Sequence, residues 1–139
     1  MGASLAPGEV RVLWINLARS PDRARWMRSH LAARAVAAER VEALDGSAPL
    51  PDAVVERYRR YRPGLTASAT PTDGCALSHL AVLERASESP GWTVVLEDDA
   101  RLAPHFDRAL RRALGEVPPD AVLLWLHRSS GVVGRGRWR

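Results

Sequence analysis

The stretch Gly91-Trp92-Thr93-Val94-Val95-Leu96-Glu97-Asp98-Asp99 limits most tightly what this chain can fold into, because an apolar, β-branched run ends abruptly in three consecutive carboxylates. Starting after Pro90-Gly91, residues 92–96 are too few for a free-standing helix and predict a short buried strand. Ligands of open α/β sheets bind outside the carboxyl ends of the strands, so the acids fall where chemistry is done. Strand alternation predicts Glu97 and Asp99 on one face with Asp98 pointing away. Like charges this close repel one another unless a cation or hydrogen-bond donors neutralise them. Oxygen-only ligands suit Mg²⁺ or Mn²⁺, which proteins hold through one or two carboxylates and substrate phosphates. The competing reading is that the acids cap the following helix or line a solvated turn.

Around this strand the pattern alternates between sheet and helix. Residues 1–8 form a small-residue leader, and Val10 to Leu17 is apolar enough for a central strand. It runs into Ser20-Pro21-Asp22-Arg23, where Ser20 is the expected cap and Pro21 suits the first helical position. Trp26, Met27, His30, Leu31 and Ala35 make the predicted inward stripe of that helix. A strand, a tight turn and a helix N-terminus together present backbone N–H groups to an anion, with Arg19 and Arg23 close by. As a plainer alternative, those arginines are solvated helix residues.

Ala38 to Leu44 reads as a second strand closed by Asp45-Gly46. Asp52 caps a predicted helix from Ala53 to about Arg62, with Val54, Val55, Tyr58 and Tyr61 at helical spacing and arginines between them. That interleaving resembles a stacking patch for nucleic acid, but tyrosines on an amphipathic helix belong more often to a core or its rim. A mobile small-residue loop is expected from Pro63 to Pro71. Thr72 or Asp73 then caps a helix whose buried stripe is Leu77, Leu80 and Leu83, with His79 in its second turn. A helical histidine of this kind is usually a structural residue. After the acid triplet, Pro104 starts a helix facing inward through Phe106, Ala109, Leu110 and Ala113, with Gly115 as C-cap. Ala121 to Leu126 predicts a final interior strand, and residues 128–139 form an Arg- and Gly-rich tail expected to be unpacked. Left uncovered, such a strand would favour self-association. The order β-α-β-α-α-β-α-β implies an α/β fold with helices over a largely parallel sheet.

Composition narrows the classes. A length of 139 residues with 46% hydrophobic content suits one ordinary domain, here residues 9–127. No run approaches the roughly 18 apolar residues of a membrane span, and no signal-peptide pattern opens the chain, so the expected compartment is the cytoplasm. A single Cys75 excludes an internal disulfide and a cysteine-rich zinc site, and is expected to be small and buried. The net charge of +4 is carried by arginine with no lysine. It suits attraction to phosphates but is weak support for nucleic acid, which is not the expected partner.

The residues that carry a family likeness are Ile15-Asn16-Leu17 with Arg19-Ser20-Pro21-Asp22-Arg23, Arg40 to Ala43 with Asp45-Gly46, Gly74-Cys75-Ala76-Leu77-Ser78-His79, and Leu96-Glu97-Asp98-Asp99-Ala100. In this order they resemble glycosyltransferase family 25, the lipooligosaccharide β-galactosyltransferases and their collagen-modifying relatives. The resemblance covers the chain to about Leu126. It implies a GT-A-like, Rossmann-like nucleotide-sugar fold, a UDP-sugar donor, usually UDP-galactose, and transfer to a saccharide of a lipopolysaccharide core, with peripheral contact at the cytoplasmic membrane face. It also implies that Glu97, Asp98 and Asp99 hold Mn²⁺ or Mg²⁺, while Asn16, Leu17, Arg19, Arg23, Gly74, Ser78 and His79 line the nucleotide-sugar site. No catalytic base is identified. Family members usually continue beyond the last predicted strand, whereas this chain turns into the tail from Ser129. The expected fold is therefore incomplete at its C-terminus, and a non-catalytic remnant that binds nucleotide or a partner is the alternative to an active transferase.

Overall fold

A computed structural model describes residues 10–88, 90–124 and 126. The elements run β1 (Val10–Asn16), α1 (Pro21–Ala32), β2 (Glu39–Glu42), α2 (Asp52–Tyr58), α3 (Pro71–Ser87), β3 (Trp92–Glu97) and α4 (Phe106–Glu116). The strands form an all-parallel sheet in the order β2-β1-β3, with Leu13 opposite Glu39 and Val95, and Trp14 opposite Leu96. This is the α/β, Rossmann-like arrangement expected of alternating strands and helices.

Alternation along β1 divides the interior. Val12 and Trp14 point to one face, where with Val94 and Leu96 they pack on Ala24, Met27 and Leu31 of α1 and Leu110 of α4. Leu13 and Ile15 point to the other face and meet Val82 of α3. Behind α3, Leu50, Val55, Tyr58, Leu65 and Leu77 form a satellite core under α2. A central strand must bury both faces, which is why β1 reads as a nearly unbroken apolar run.

Several helix faces differ from the sequence reading. Trp26 is exposed, and Ala35 lies beyond α1 with φ 51°, because the helix closes at Ala32 and the chain must turn back toward the sheet. Ala24 takes the buried place instead. His30 stays on the inner rim: its Nε2 accepts the Leu102 amide at 2.9 Å, and partial burial lowers its pKa, with the nearby Arg34 and Arg101 adding to the effect. Ser20 is the N-cap of α1 by position, but its side chain makes no capping bond. Helix α2 starts after Pro51 and ends at Tyr58; Tyr58 is core, Tyr61 is exposed, and Arg57 and Arg60 both pair with Glu84. The arginine–tyrosine stretch is thus a rim packed on α3.

Helix α3 is capped two to three residues earlier than expected, by Thr70, whose hydroxyl accepts the Asp73 amide while the Asp73 carboxylate accepts the Thr70 amide, a capping box. The buried stripe is Gly74, Leu77, Ser78 and Val82, with Leu77 and Val82 packed in the core and Leu83 exposed. Residues 63–70 form a loop in which Leu65 is buried and Ala67 O accepts the Leu50 amide at 2.9 Å. In α4 Ala109 is exposed and the helix passes through Gly115 to a C-cap at Val117.

The largest departure is the segment Ala121 to Leu126. Its described residues form no strand, and Val122 and Leu123 are 95% and 71% exposed. An apolar run becomes a strand only where a ladder and a face to cover are available, and these residues reach neither. The leader and the tail lie outside the described residues. No helix among the described residues is long and apolar enough to cross a membrane.

Candidate functional site

Strand order β2-β1-β3 makes β1 a topological switch point, because the chain leaves its carboxyl end toward one neighbour and returns by the other. Such a point opens a crevice between the outgoing loops. Here it forms a cavity of about 170 Å³ floored by Ile15 and Asn16 of β1 and walled by the loop 43–46, the start of α3 and the end of β3.

The parallel register extends the pairing of Trp14 with Leu96 to Asn16 and Asp98. Both residues are buried, at 1% and 8% exposure. Asn16 Nδ2 donates to Asp98 Oδ2 at 2.6 Å and to Ser20 O at 3.2 Å, while Asn16 Oδ1 accepts from Arg40 Nε at 3.0 Å. Arg23 Nη1 donates to Asp98 Oδ1 at 3.0 Å. The asparagine therefore locks strand, helix start and acid triplet into one network, and satisfies a carboxylate that burial would otherwise penalise.

On the other face of the sheet, Glu97 is exposed and its Oε1 lies 3.2 Å from His79 Nε2 of α3. The helix presents Cys75 one turn before His79, and Cys75 is exposed rather than buried. Ligand atoms of Cys75, His79 and Glu97 all lie within 4.8 Å of one another.

Two glycines set how closely the wall approaches. A Cβ on Gly74 would lie 2.4 Å from Gly46 N, and one on Gly46 would lie 1.9 Å from Thr70 O. Backbone of the 43–46 loop thus rests directly on the first turn of α3. Ser78 completes the seam, accepting the Leu44 amide at 2.8 Å and donating to Gly74 O at 2.7 Å. Asp45 is then aimed at the cavity mouth, where it accepts Arg19 Nε at 2.6 Å. Hydrogen bonds from Ser47, and then Arg19, hold the Asp45 carboxyl down to about 2.

A model of glycosyltransferase family 25, described as an LPS biosynthesis protein, matches residues 10–131. The chain belongs to glycosyltransferase family 25. No curated protein matches it. Family 25 membership makes it a glycosyltransferase of lipopolysaccharide biosynthesis and implies a sugar donor and a saccharide acceptor.

Against that background the site residues of this family 25 chain sort by position. Asn16, Leu17, Arg19, Arg23, Ser78, His79, Glu97 and Asp98 all line the one cavity. Gly74 stands behind its wall, and Asp99 does not line it. Strand β3 ends at Glu97 and the chain turns at once, Ala100 N donating to Glu97 O at 3.1 Å, so Asp99 leaves the strand face and is exposed. The three acids accordingly do not converge as a carboxylate cage. Asp98, expected to point away, is the buried one, with an oxygen given to each of Asn16 and Arg23, and Glu97 is the carboxylate facing the cavity with a half-exposed partner. Sequence reading passed over the parts played by Asp45 and Arg40. Asp45-Gly46 registered as a turn and, with Arg40 to Ala43, as a block of the family likeness, with no role for the Asp45 carboxylate; Arg40, alternating on an edge strand, carries no local sign of reaching Asn16.

Charge gives the cavity its character. Its lining holds two guanidinium groups, Arg19 and Arg23, against three carboxylates, Asp45, Glu97 and Asp98, so these five groups sum to one negative charge. A diphosphate is not attracted to such a lining on charge alone. A divalent cation beside Glu97 reverses the sign, and one carboxylate plus substrate phosphates is a common ligand set for Mg²⁺ or Mn²⁺. The donor set fits a hard ion through Glu97, not through the whole triplet.

Proposed function

We propose that the protein transfers a sugar, galactose being the first candidate, from a UDP-sugar bound in the β1–β3 crevice to a saccharide hydroxyl of a lipopolysaccharide core. The observation that carries this reading is a cavity at the sheet's switch point that brings Arg19, Arg23 and Glu97 to one mouth in a chain of family 25. The diphosphate would lie across the start of α1, where unpaired helix N–H groups and the half-exposed Arg19 and Arg23 guanidiniums supply charge-assisted donors. A Mn²⁺ or Mg²⁺ ion held by Glu97 would neutralise charge developing on the departing UDP. Asp98, itself held by Asn16, positions Arg23 at the crevice floor. Leaving-group stabilisation of this kind costs no reorganisation, because the donors are already held by the fold.

Calorimetric titration of UDP with and without Mn²⁺, run beside a turnover assay with UDP-galactose, tests the reading. Metal-dependent UDP binding and release of UDP in the presence of a saccharide acceptor are expected. Equal UDP affinity in chelator would remove the role given to the cation, and absence of UDP binding in either condition would overturn the donor assignment.

A further inference from the structure

Within the same crevice, Cys75 and His79 occupy i and i+4 on one face of α3, and Glu97 ends the strand that this face covers. Their ligand atoms lie within 4.8 Å of one another, and His79 Nε2 is 3.2 Å from Glu97 Oε1. For bonds of about 2.0–2.1 Å, as zinc makes to nitrogen and oxygen, a tetrahedron has an N–O edge of about 3.3 Å. The histidine–glutamate spacing is thus already that of two zinc ligands, and the exposed Cys75 offers its sulfur within 4.8 Å of both. We propose that Cys75, His79 and Glu97 bind a borderline divalent cation of the Zn²⁺ type, with its fourth position open to the cavity.

The chemistry of the set decides the ion. A thiolate and an imidazole beside one carboxylate select zinc or cobalt, whereas Mg²⁺ prefers oxygen throughout. Three protein ligands with an open position is the pattern of a reactive or ligand-exchanging zinc, not of a closed structural one. The capping box at Thr70 and Asp73 orders the first turn of α3, which carries Cys75, and Gly74 in that turn rests directly on Gly46 backbone. The lining's net negative charge favours a cation there. This site shares Glu97 with the Mn²⁺ or Mg²⁺ role proposed above, so zinc bound here would take the place of a hard ion at that carboxylate; it stands on ligand geometry and does not depend on which nucleotide sugar the crevice takes.

The full chain, stripped with chelator, is titrated with Co²⁺ and followed by absorption, then with Zn²⁺ in competition. One equivalent of Co²⁺ should give the intense visible bands of a tetrahedral site and a near-ultraviolet thiolate-to-cobalt band, both erased by Zn²⁺ but not by millimolar Mg²⁺. Cys75→Ser should abolish the near-ultraviolet band. His79→Gln and Glu97→Gln should each weaken Zn²⁺ binding by at least about tenfold, the lower bound for loss of even an outer-shell partner. All three side chains are at least partly exposed, so circular dichroism should show the fold unchanged, and Glu56→Gln on α2 serves as a control that leaves binding intact. A weak octahedral cobalt spectrum without the thiolate band, displacement by Mg²⁺, or wild-type zinc affinity in Cys75→Ser and His79→Gln would each overturn the proposal. UDP titrated into the zinc-loaded and stripped protein reads the donor assignment separately: zinc binding with no UDP binding would sink that assignment and leave this site standing.

Discussion

Replacing Asn16 with alanine tests the network under the crevice, because this one side chain serves two charged partners from a buried position. It is 1% exposed, donates to Asp98 at 2.6 Å and accepts from Arg40 at 3.0 Å. A hydrogen bond to a charged group contributes about 1.5–3 kcal/mol. Loss of both bonds is partly offset, since Asp98 keeps Arg23 and the Arg40 side chain, 28% exposed, regains water. The expected cost of Asn16→Ala is therefore about 2–4 kcal/mol. With a urea slope of about 1.5–2 kcal/mol/M, the unfolding midpoint should fall by about 1–2.5 M. Asn16→Asp should be at least as damaging near neutral pH, as it removes the donor and sets a second carboxylate against Asp98. A double-mutant cycle with Asp98→Asn isolates the pair, and a coupling of about 0.5–3 kcal/mol is expected for residues in direct contact. A loss below about 1 kcal/mol for Asn16→Ala, or no coupling to Asp98, would refute the claim that this bond holds the crevice floor, since about 0.5 kcal/mol is what an inconsequential surface change costs.

Other expectations follow from individual contacts. Gly74→Ala should destabilise by about 1–3 kcal/mol or more through its clash with Gly46 backbone, whereas Gly115→Ala, whose Cβ meets nothing within 4 Å inside α4, should stabilise by about 0.5–1 kcal/mol; urea melts of the two decide between them. Asp45 has its pKa depressed from 3.8 to about 2, so its contribution to stability is fully present above pH 3.8 and is lost as pH falls through about 2; Asp45→Asn should flatten that part of the acid-unfolding profile, and an unchanged profile would contradict the Ser47 and Arg19 contacts. Arg23→Ala should weaken UDP binding by about 1.5–3 kcal/mol if the guanidinium meets the diphosphate, and an unchanged dissociation constant in calorimetry would return Arg23 to a purely structural partner of Asp98.

Local pattern determined much of this protein. Apolar runs marked β1 and β3, alternation of strands and helices implied a parallel, helix-covered sheet, and Pro21 stands at the first position of α1 as expected. The blocks around Asn16, Gly74 and Glu97 also carried the family likeness that the match over residues 10–131 bears out. These features depend on side chains within a turn or two of one another, so a linear reading reaches them. What tertiary structure alone decided is which neighbour each side chain meets. Asp98 is buried because strand register sets it against Asn16, 82 residues away, while the turn after Glu97 carries Asp99 out to solvent. Cys75 is exposed because α3 packs through Leu77 and Val82, and that packing sets Ser78 against the Leu44 amide and His79 beside Glu97. The run from Ala121 to Leu126 shows the opposite limit: its composition suits a strand, but its described residues join no ladder, and Val122, Leu123 and Leu126 are exposed. Periodicity records what a segment could bury, whereas the geometry of packing determines what it does bury.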